Sequence, residues 1–126
     1  ALAKYLDQHE QVEWVNYAAL PNDKYYDVCQ KITKGHASGI ISFGIKGGMN
    51  AAIKFIDALQ MILRVLSMGD AKSLACHPAS TIHRQLNPEQ LVLAGVSEDM
   101  IRISVGIEHI DDIIHDVEQA IQASKK

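Results

Sequence analysis

Apolar residues recur along this chain with two different periods, and each period predicts a different kind of element. A spacing of three and four residues is typical of a helix with one buried face, and it is found at 2–9, 49–60 and 110–121. Short helices are also predicted at 25–32 and 88–94. Alternation of apolar and polar residues is typical of a half-buried strand, and it is found at 41–46 and 101–105. The segment 12–17 is a strand candidate because it is rich in β-branched and aromatic residues. Short apolar runs at 63–66 and 73–76 are further strand candidates.

The helix that follows Asn87 has the clearest end signals in the chain. Asn87 is a good N-cap, Pro88 suits the first helical position, and Gln90 occupies the reciprocal position of a capping box. Gly95 is expected to end this helix in the left-handed conformation. The final helix carries acidic residues in its first turn and lysines at its end, which matches the helix dipole.

These short helices and strands alternate irregularly and are separated by tight turns. We therefore predict an α+β fold, with a short, mostly antiparallel or mixed sheet covered on one face by helices. A length of 126 residues suits a single domain, 1–126, with a hydrophobic core of its own. Because the chain begins at Ala1 without a methionine and already in a helical pattern, we expect it to belong to a longer protein.

Composition excludes several classes of function. The 12 basic and 15 acidic residues are dispersed and give a formal charge of −3, so no basic stripe is available to bind nucleic acid. No apolar run approaches the ~20 residues of a membrane span, and no export signal is apparent. Cys29 and Cys76 lack metal-ligand spacing, which favours a reducing, cytoplasmic location and no metal site.

Arg102 is the most informative polar residue. Alternation places its side chain on the strand face opposite Ile101 and Ile103. A guanidinium on a rigid strand presents a planar fork that matches a carboxylate, so Arg102 is a candidate ligand for a substrate carboxylate. The alternative is a solvated arginine or one paired with a local acid, and charged residues more often face water.

Four other groups of residues have plainer interpretations. His77 and His83 flank a hydroxyl pair, but no complete metal site or triad accompanies them, which favours a structured turn. Lys34 is better explained as a cation at a helix C-terminus than as a Schiff-base lysine. The glycines at 44, 47 and 48 favour a tight turn over an anion site. The acidic residues of the C-terminal segment favour a solvated helix face, and these are Glu108, Asp111, Asp112, Asp116 and Glu118.

Six stretches, in order, resemble one enzyme family. They are Trp14–Tyr17, Ser42–Phe43 with Lys46–Gly48, Gly69–Leu74, His77–Ser80 with His83, Ala94–Val96 and Ile101–Asp112. Together they are similar to the C-terminal region of the Cys/Met-metabolism family of pyridoxal-phosphate (PLP) enzymes, and most similar to its O-acetylhomoserine sulfhydrylase branch. The similarity extends over about residues 12–121, nearly the whole chain.

The resemblance implies that this chain is the small C-terminal domain of a fold-type I PLP enzyme. It implies that Arg102 binds the α-carboxylate of the amino-acid substrate and that Ser67 helps to hold it. Pyridoxal 5'-phosphate and the catalytic residues would belong to a large domain absent from this chain, so none is assigned here. The implied activity of the full-length enzyme is replacement of acetate by a sulfur nucleophile at the γ-carbon, in methionine synthesis. A homo-oligomer, a tetramer in this family, is also implied.

Two hypotheses follow. In the first, the chain is the carboxylate-binding domain of such a transferase and is inactive alone. In the second, it is a free-standing α+β module that binds a small molecule, such as an amino acid, through Arg102 without catalysis. The ordered motifs favour the first hypothesis.

Overall fold

The computed structural model describes residues 1–36, 39–64, 72–79 and 87–125. Their helices and strands are, in chain order, α1 (Leu2–Asp7), β1 (Val12–Asn16), α2 (Tyr26–Thr33), β2 (Ile40–Ile45), α3 (Gly48–Ala58), β3 (Leu63–Arg64), β4 (Leu74–Cys76), α4 (Pro88–Leu93), β5 (Met100–Ser104) and α5 (Ile110–Ser124). The prediction of an α+β fold is confirmed. None of the described helices combines the length and apolar character needed to cross a bilayer.

The five strands form one sheet in the order β1-β2-β5-β4-β3. The pairs β1–β2, β2–β5 and β4–β5 are antiparallel, and the edge pair β3–β4 is parallel. The last strand in sequence therefore lies in the middle of the sheet, with a neighbour on each side. The two hydrogen-bonded neighbours restrict the backbone that presents the side chains of β5.

One face of the sheet packs against helices and forms the main core. Alternate residues of β2 and β5, such as Phe43, Ile101 and Ile103, are fully buried there. They meet Phe55 of α3 and the apolar stripe of α5, and the rings of Phe43 and Phe55 pack edge to face with centroids 5.7 Å apart. Burial of this one face explains the alternating pattern in the sequence.

The capping box predicted at α4 is present. The Asn87 side chain accepts a hydrogen bond from the Gln90 N–H at 2.8 Å, and the Gln90 side chain accepts one from the Asn87 N–H at 3.0 Å. Gly95 follows with a φ of +74°, the left-handed conformation expected of it. Leu91 anchors α4 in a small second cluster with Ala79 and Val96.

Gly44 is a glycine because two side chains occupy the space above its Cα. The Trp14 Nε1–H donates to Asp99 Oδ2 at 3.2 Å, directly over Gly44. A Cβ at this position would overlap both the indole and the carboxylate.

Substitution Gly44→Ala is therefore expected to lower the free energy of unfolding by about 1–3 kcal/mol, the usual cost of overpacking. Denaturant titration of the purified protein would measure the loss. In a Trp14→Ala background the same substitution should cost less, because the indole is gone. An equal cost in both backgrounds would contradict this contact as the cause.

Candidate functional site

Arg102 lies at the centre of β5, between β2 and β4. Its Cα partners across the two antiparallel ladders are Ser42 and Cys76. Its chain neighbours Ile101 and Ile103 are fully buried in the core, so the guanidinium side chain projects from the opposite face of the sheet. The predicted orientation of Arg102 is confirmed.

The surroundings of Arg102 change from one side to the other. On the β4 side Cys76 is buried, whereas on the β2 side Ser42 is half-buried and Asn16 of β1 beyond it is exposed. Arg102 itself is half-buried. It therefore lies where the sheet passes from covered to solvent-accessible, and a ligand can approach it from the β1–β2 side.

The Arg102 guanidinium makes no ion pair or side-chain hydrogen bond with any other residue in the described part of the chain. Its five N–H donors are thus not used by an internal carboxylate there. An arginine held on a central strand with its donors available is suited to bind a carboxylate through two parallel hydrogen bonds.

His77 supports the strand beside Arg102. The ring is buried, and Nε2 lies 2.6 Å from the carbonyl oxygen of Glu98, to which its N–H donates. This bond ties the residue after β4 to the loop before β5. His77 therefore has a structural contact, whereas the hydroxyls of the predicted turn lie outside the described residues. Within the described ranges, no group of three or more His, Cys, Asp or Glu side chains is placed to hold a metal.

Ser67, the second predicted carboxylate ligand, lies outside the described residues, as do Ser80 to His83. Their roles stay predictions. Lys34 and the glycines before α3 have the structural roles predicted for them, a helix C-terminus and a tight turn. Lys34 is exposed and ends α2 with a φ of +53°, and Gly47 is the left-handed N-cap of α3.

The prediction of a solvated acidic face is wrong for three of its five residues. The Asp116 carboxylate is buried and accepts hydrogen bonds from the backbone N–H groups of Gln60, Met61 and Ile62 at 2.8–3.0 Å. Burial alone would raise the Asp116 pKa, but these bonds outweigh it, and the pKa falls below its usual value. Asp116 thereby holds the loop after α3 against α5.

Glu118 joins α5 to the N-terminal helix. It accepts hydrogen bonds from the Tyr5 hydroxyl and the Gln122 amide, and its Oε2 lies 3.0 Å from His9 Nε2. The bond from Tyr5 is the main reason that the pKa of Glu118 is lowered. Burial, with the same bond, raises the pKa of Tyr5.

Glu108 binds the start of β4. Its carboxylate accepts hydrogen bonds from the backbone N–H and the hydroxyl of Ser73, at 2.6 and 2.7 Å. Burial would raise its pKa, but the two bonds from Ser73 outweigh that effect and lower it. No pattern in the sequence indicates this contact, because its partners lie 35 residues apart and no periodicity connects them.

The lysines in the described ranges are all exposed. None of them lies in the desolvated surroundings that can activate a lysine as a nucleophile.

Comparison with known proteins identifies the family. Residues 1–122 match the family model described as Cys/Met metabolism PLP-dependent enzyme. The chain is 45% identical over 120 residues to O-acetyl-L-homoserine sulfhydrylase 1 of Thermus thermophilus, covering 95% of this chain and 28% of the relative. It is 44% identical to a homocysteine synthase of Schizosaccharomyces pombe, covering 98% and 29%. It is 42% identical to L-methionine gamma-lyase of Pseudomonas putida, covering 98% and 31%.

A solved structure shows the same fold. The crystal structure described as an O-acetylhomoserine (thiol)-lyase from Campylobacter jejuni, which contains a pyridoxyl-lysine phosphate, superposes with a TM-score of 0.90 at 40% identity. The superposition covers 96% of this chain and 29% of that one, so the chain spans less than a third of the length of these proteins. The chain belongs to the Cys/Met metabolism family of PLP-dependent enzymes.

Proposed function

We propose that this chain is the C-terminal domain of a PLP-dependent O-acetylhomoserine sulfhydrylase and that Arg102 binds the α-carboxylate of its amino-acid substrate. The proposal is based on the Arg102 guanidinium, which is half-buried on the central strand and has no internal partner among the described residues. The names of the sulfhydrylase and homocysteine synthase relatives support the sulfhydrylase reaction, and the extent of the match supports a domain of a larger enzyme.

Arg102 contributes orientation rather than covalent chemistry. Two parallel hydrogen bonds to a carboxylate fix both its position and the plane in which it lies. With the carboxylate fixed, rotation about the substrate backbone is restricted, and the γ-carbon that bears acetate is held in one place relative to the rest of the enzyme. A central strand, hydrogen-bonded on both sides, suits this task because its backbone has little freedom to move.

In the full-length enzyme, PLP and the Schiff-base lysine belong to a large domain outside this chain, as the resemblance implies. The resemblance further suggests a cytoplasmic homo-oligomer, a tetramer, with an O-acetylhomoserine-like amino acid as substrate.

The activity can be tested directly on the full-length protein. With O-acetyl-L-homoserine and sulfide, we expect acetate and homocysteine to form in equal amounts, and this chain alone to form neither. Omission of sulfide distinguishes replacement from elimination, because a lyase would continue to consume substrate and form a 2-oxo acid. Elimination at the full rate without sulfide would contradict the sulfhydrylase assignment.

The alternative of a free-standing binding module has a separate test. Calorimetric titration of this chain alone with O-acetyl-L-homoserine and with L-methionine should show no specific binding if the site is completed by another domain. Specific micromolar binding by the isolated chain would favour the module instead.

A further inference from the structure

Ser73, which precedes β4, forms hydrogen bonds with β3 and with the segment that follows β5. Its N–H and hydroxyl donate to the two carboxylate oxygens of Glu108, and its hydroxyl oxygen accepts a hydrogen bond from the Gly106 N–H at 2.9 Å. Its carbonyl oxygen accepts one from the Leu63 N–H at 3.1 Å. Ser73 is fully buried, so all its polar atoms depend on these protein partners.

This network extends the pairing of β4 with β5. β4 has three residues and pairs with β5 only from Leu74 to Cys76, so its ladder is short. Ser73 directly precedes β4, and Gly106 and Glu108 follow the end of β5. The side-chain bonds therefore continue the contact between the two strands beyond the last backbone pair.

A hydrogen bond also fixes the C-terminal end of β4. His77 follows Cys76 and donates to the carbonyl of Glu98, just before β5. Between these two fixed ends lies Cys76, the cross-strand neighbour of Arg102. A slip of β4 by one residue would turn its side chains to the other face and change the wall beside Arg102.

We propose that Glu108 is a positioning residue for the α-carboxylate site, an inference that rests on the proposed function. By binding Ser73, Glu108 keeps β4 in register beside β5 and so fixes the wall of the site next to the guanidinium. Its ionised carboxylate accepts both bonds at neutral pH, since those bonds lower its pKa. Loss of Glu108 should thus weaken recognition of the carboxylate specifically.

The test measures binding to the full-length, PLP-loaded enzyme. L-norleucine has an α-carboxylate and no leaving group, and pentylamine is the same molecule without the carboxylate. For Glu108→Ala we expect the Kd of L-norleucine to rise by about 10- to 100-fold, as for other mutations that misplace a bound ligand. The Kd of pentylamine should change by less than about twofold, since no part of it reaches Arg102.

Two further variants keep the test informative if Glu108→Ala does not fold. Glu108→Gln retains one acceptor oxygen, and Ser73→Ala retains the backbone N–H bond, so each should give an intermediate loss confined to L-norleucine. Glu118→Gln is the matched control, because it weakens a carboxylate contact at α1, away from β4. It should lower the Tm without changing either Kd.

The outcomes separate the inference from the proposed function. If Arg102→Ala leaves the Kd of L-norleucine unchanged, the proposed function fails. If Arg102→Ala weakens L-norleucine binding but all Glu108 and Ser73 variants leave it unchanged, only the role of Glu108 is overturned. An equal weakening of L-norleucine and pentylamine would also overturn it, since that is the result expected of a general structural defect.

Discussion

Replacement of Arg102 by alanine in the full-length enzyme is expected to lower kcat/KM for O-acetyl-L-homoserine by about 10²- to 10³-fold, corresponding to roughly 3–4 kcal/mol. The substitution removes both hydrogen bonds to the carboxylate and its counter-charge. Most of the loss should appear as a higher KM, because the carboxylate is bound in the ground state as well as in the transition state. Steady-state kinetics over a wide substrate range would separate the two parameters.

Two controls define the role of the guanidinium. Arg102→Lys keeps the charge but loses the planar fork, so it should recover only part of the activity. Lys54→Ala removes a positive charge from the exposed surface of α3 and should leave kcat/KM unchanged. A near-normal kcat/KM for Arg102→Ala would defeat the assignment of the carboxylate site.

Removal of the Asp116 carboxylate should strongly lower the stability of the folded chain. Asp116→Ala leaves the N–H groups of Gln60, Met61 and Ile62 without their partner, and we expect the free energy of unfolding to fall by about 3–4 kcal/mol. Denaturant unfolding would measure the change. Asp112→Ala is the matched control on the same helix, where an exposed first-turn carboxylate should contribute less than about 1 kcal/mol.

The same carboxylate predicts a dependence of stability on pH. Since the folded-state pKa of Asp116 is lowered, its contribution is fully present above its unfolded pKa of about 4 and is lost as pH falls through the folded value. Glu108 and Glu118 act in the same direction. The difference in the free energy of unfolding between the wild type and Asp116→Ala should therefore shrink below about pH 4. A difference that stays constant from pH 7 to pH 2 would contradict the role of the ionised carboxylate in this contact.

Much of the fold was predictable because one face of each amphipathic element is buried. The period-two pattern of β5 and the helical pattern of α5 both reflect contact with a single core, so their side-chain orientations followed from the sequence. The predicted ends of the helices and strands were less accurate than their positions. β5 begins at Met100 rather than Ile101, and α5 continues to Ser124. Burial patterns carry little information at the ends of elements.

The carboxylates show where pattern reasoning failed. Asp116 lies three residues after Ile113 and four before Ala120, both buried, so the spacing itself places a charge on the buried stripe of α5. This spacing is the sequence signal that distinguishes Asp116 from the solvated acidic residues. Glu108 had no such signal, because its bonds to Ser73 depend on how the sheet brings β4 beside β5.

One feature of the candidate site was predictable from the sequence, and its other contacts were not. Alternation predicted the face on which Arg102 lies, whereas the support from His77 and Glu108 depends on residues brought together by the sheet order. The guanidinium itself suggests a carboxylate as the ligand of Arg102. Only the resemblance suggests that this carboxylate belongs to an amino-acid substrate, because strands and helices of this kind serve many unrelated functions.

A crystal structure of the full-length enzyme with L-norleucine bound would test the central claim most directly. We predict that both carboxylate oxygens lie within about 2.7–3.0 Å of the Arg102 guanidinium nitrogens, in a fork-to-fork arrangement. A carboxylate bound by another arginine, with Arg102 directed to solvent or paired with an acidic side chain of the protein, would contradict the account.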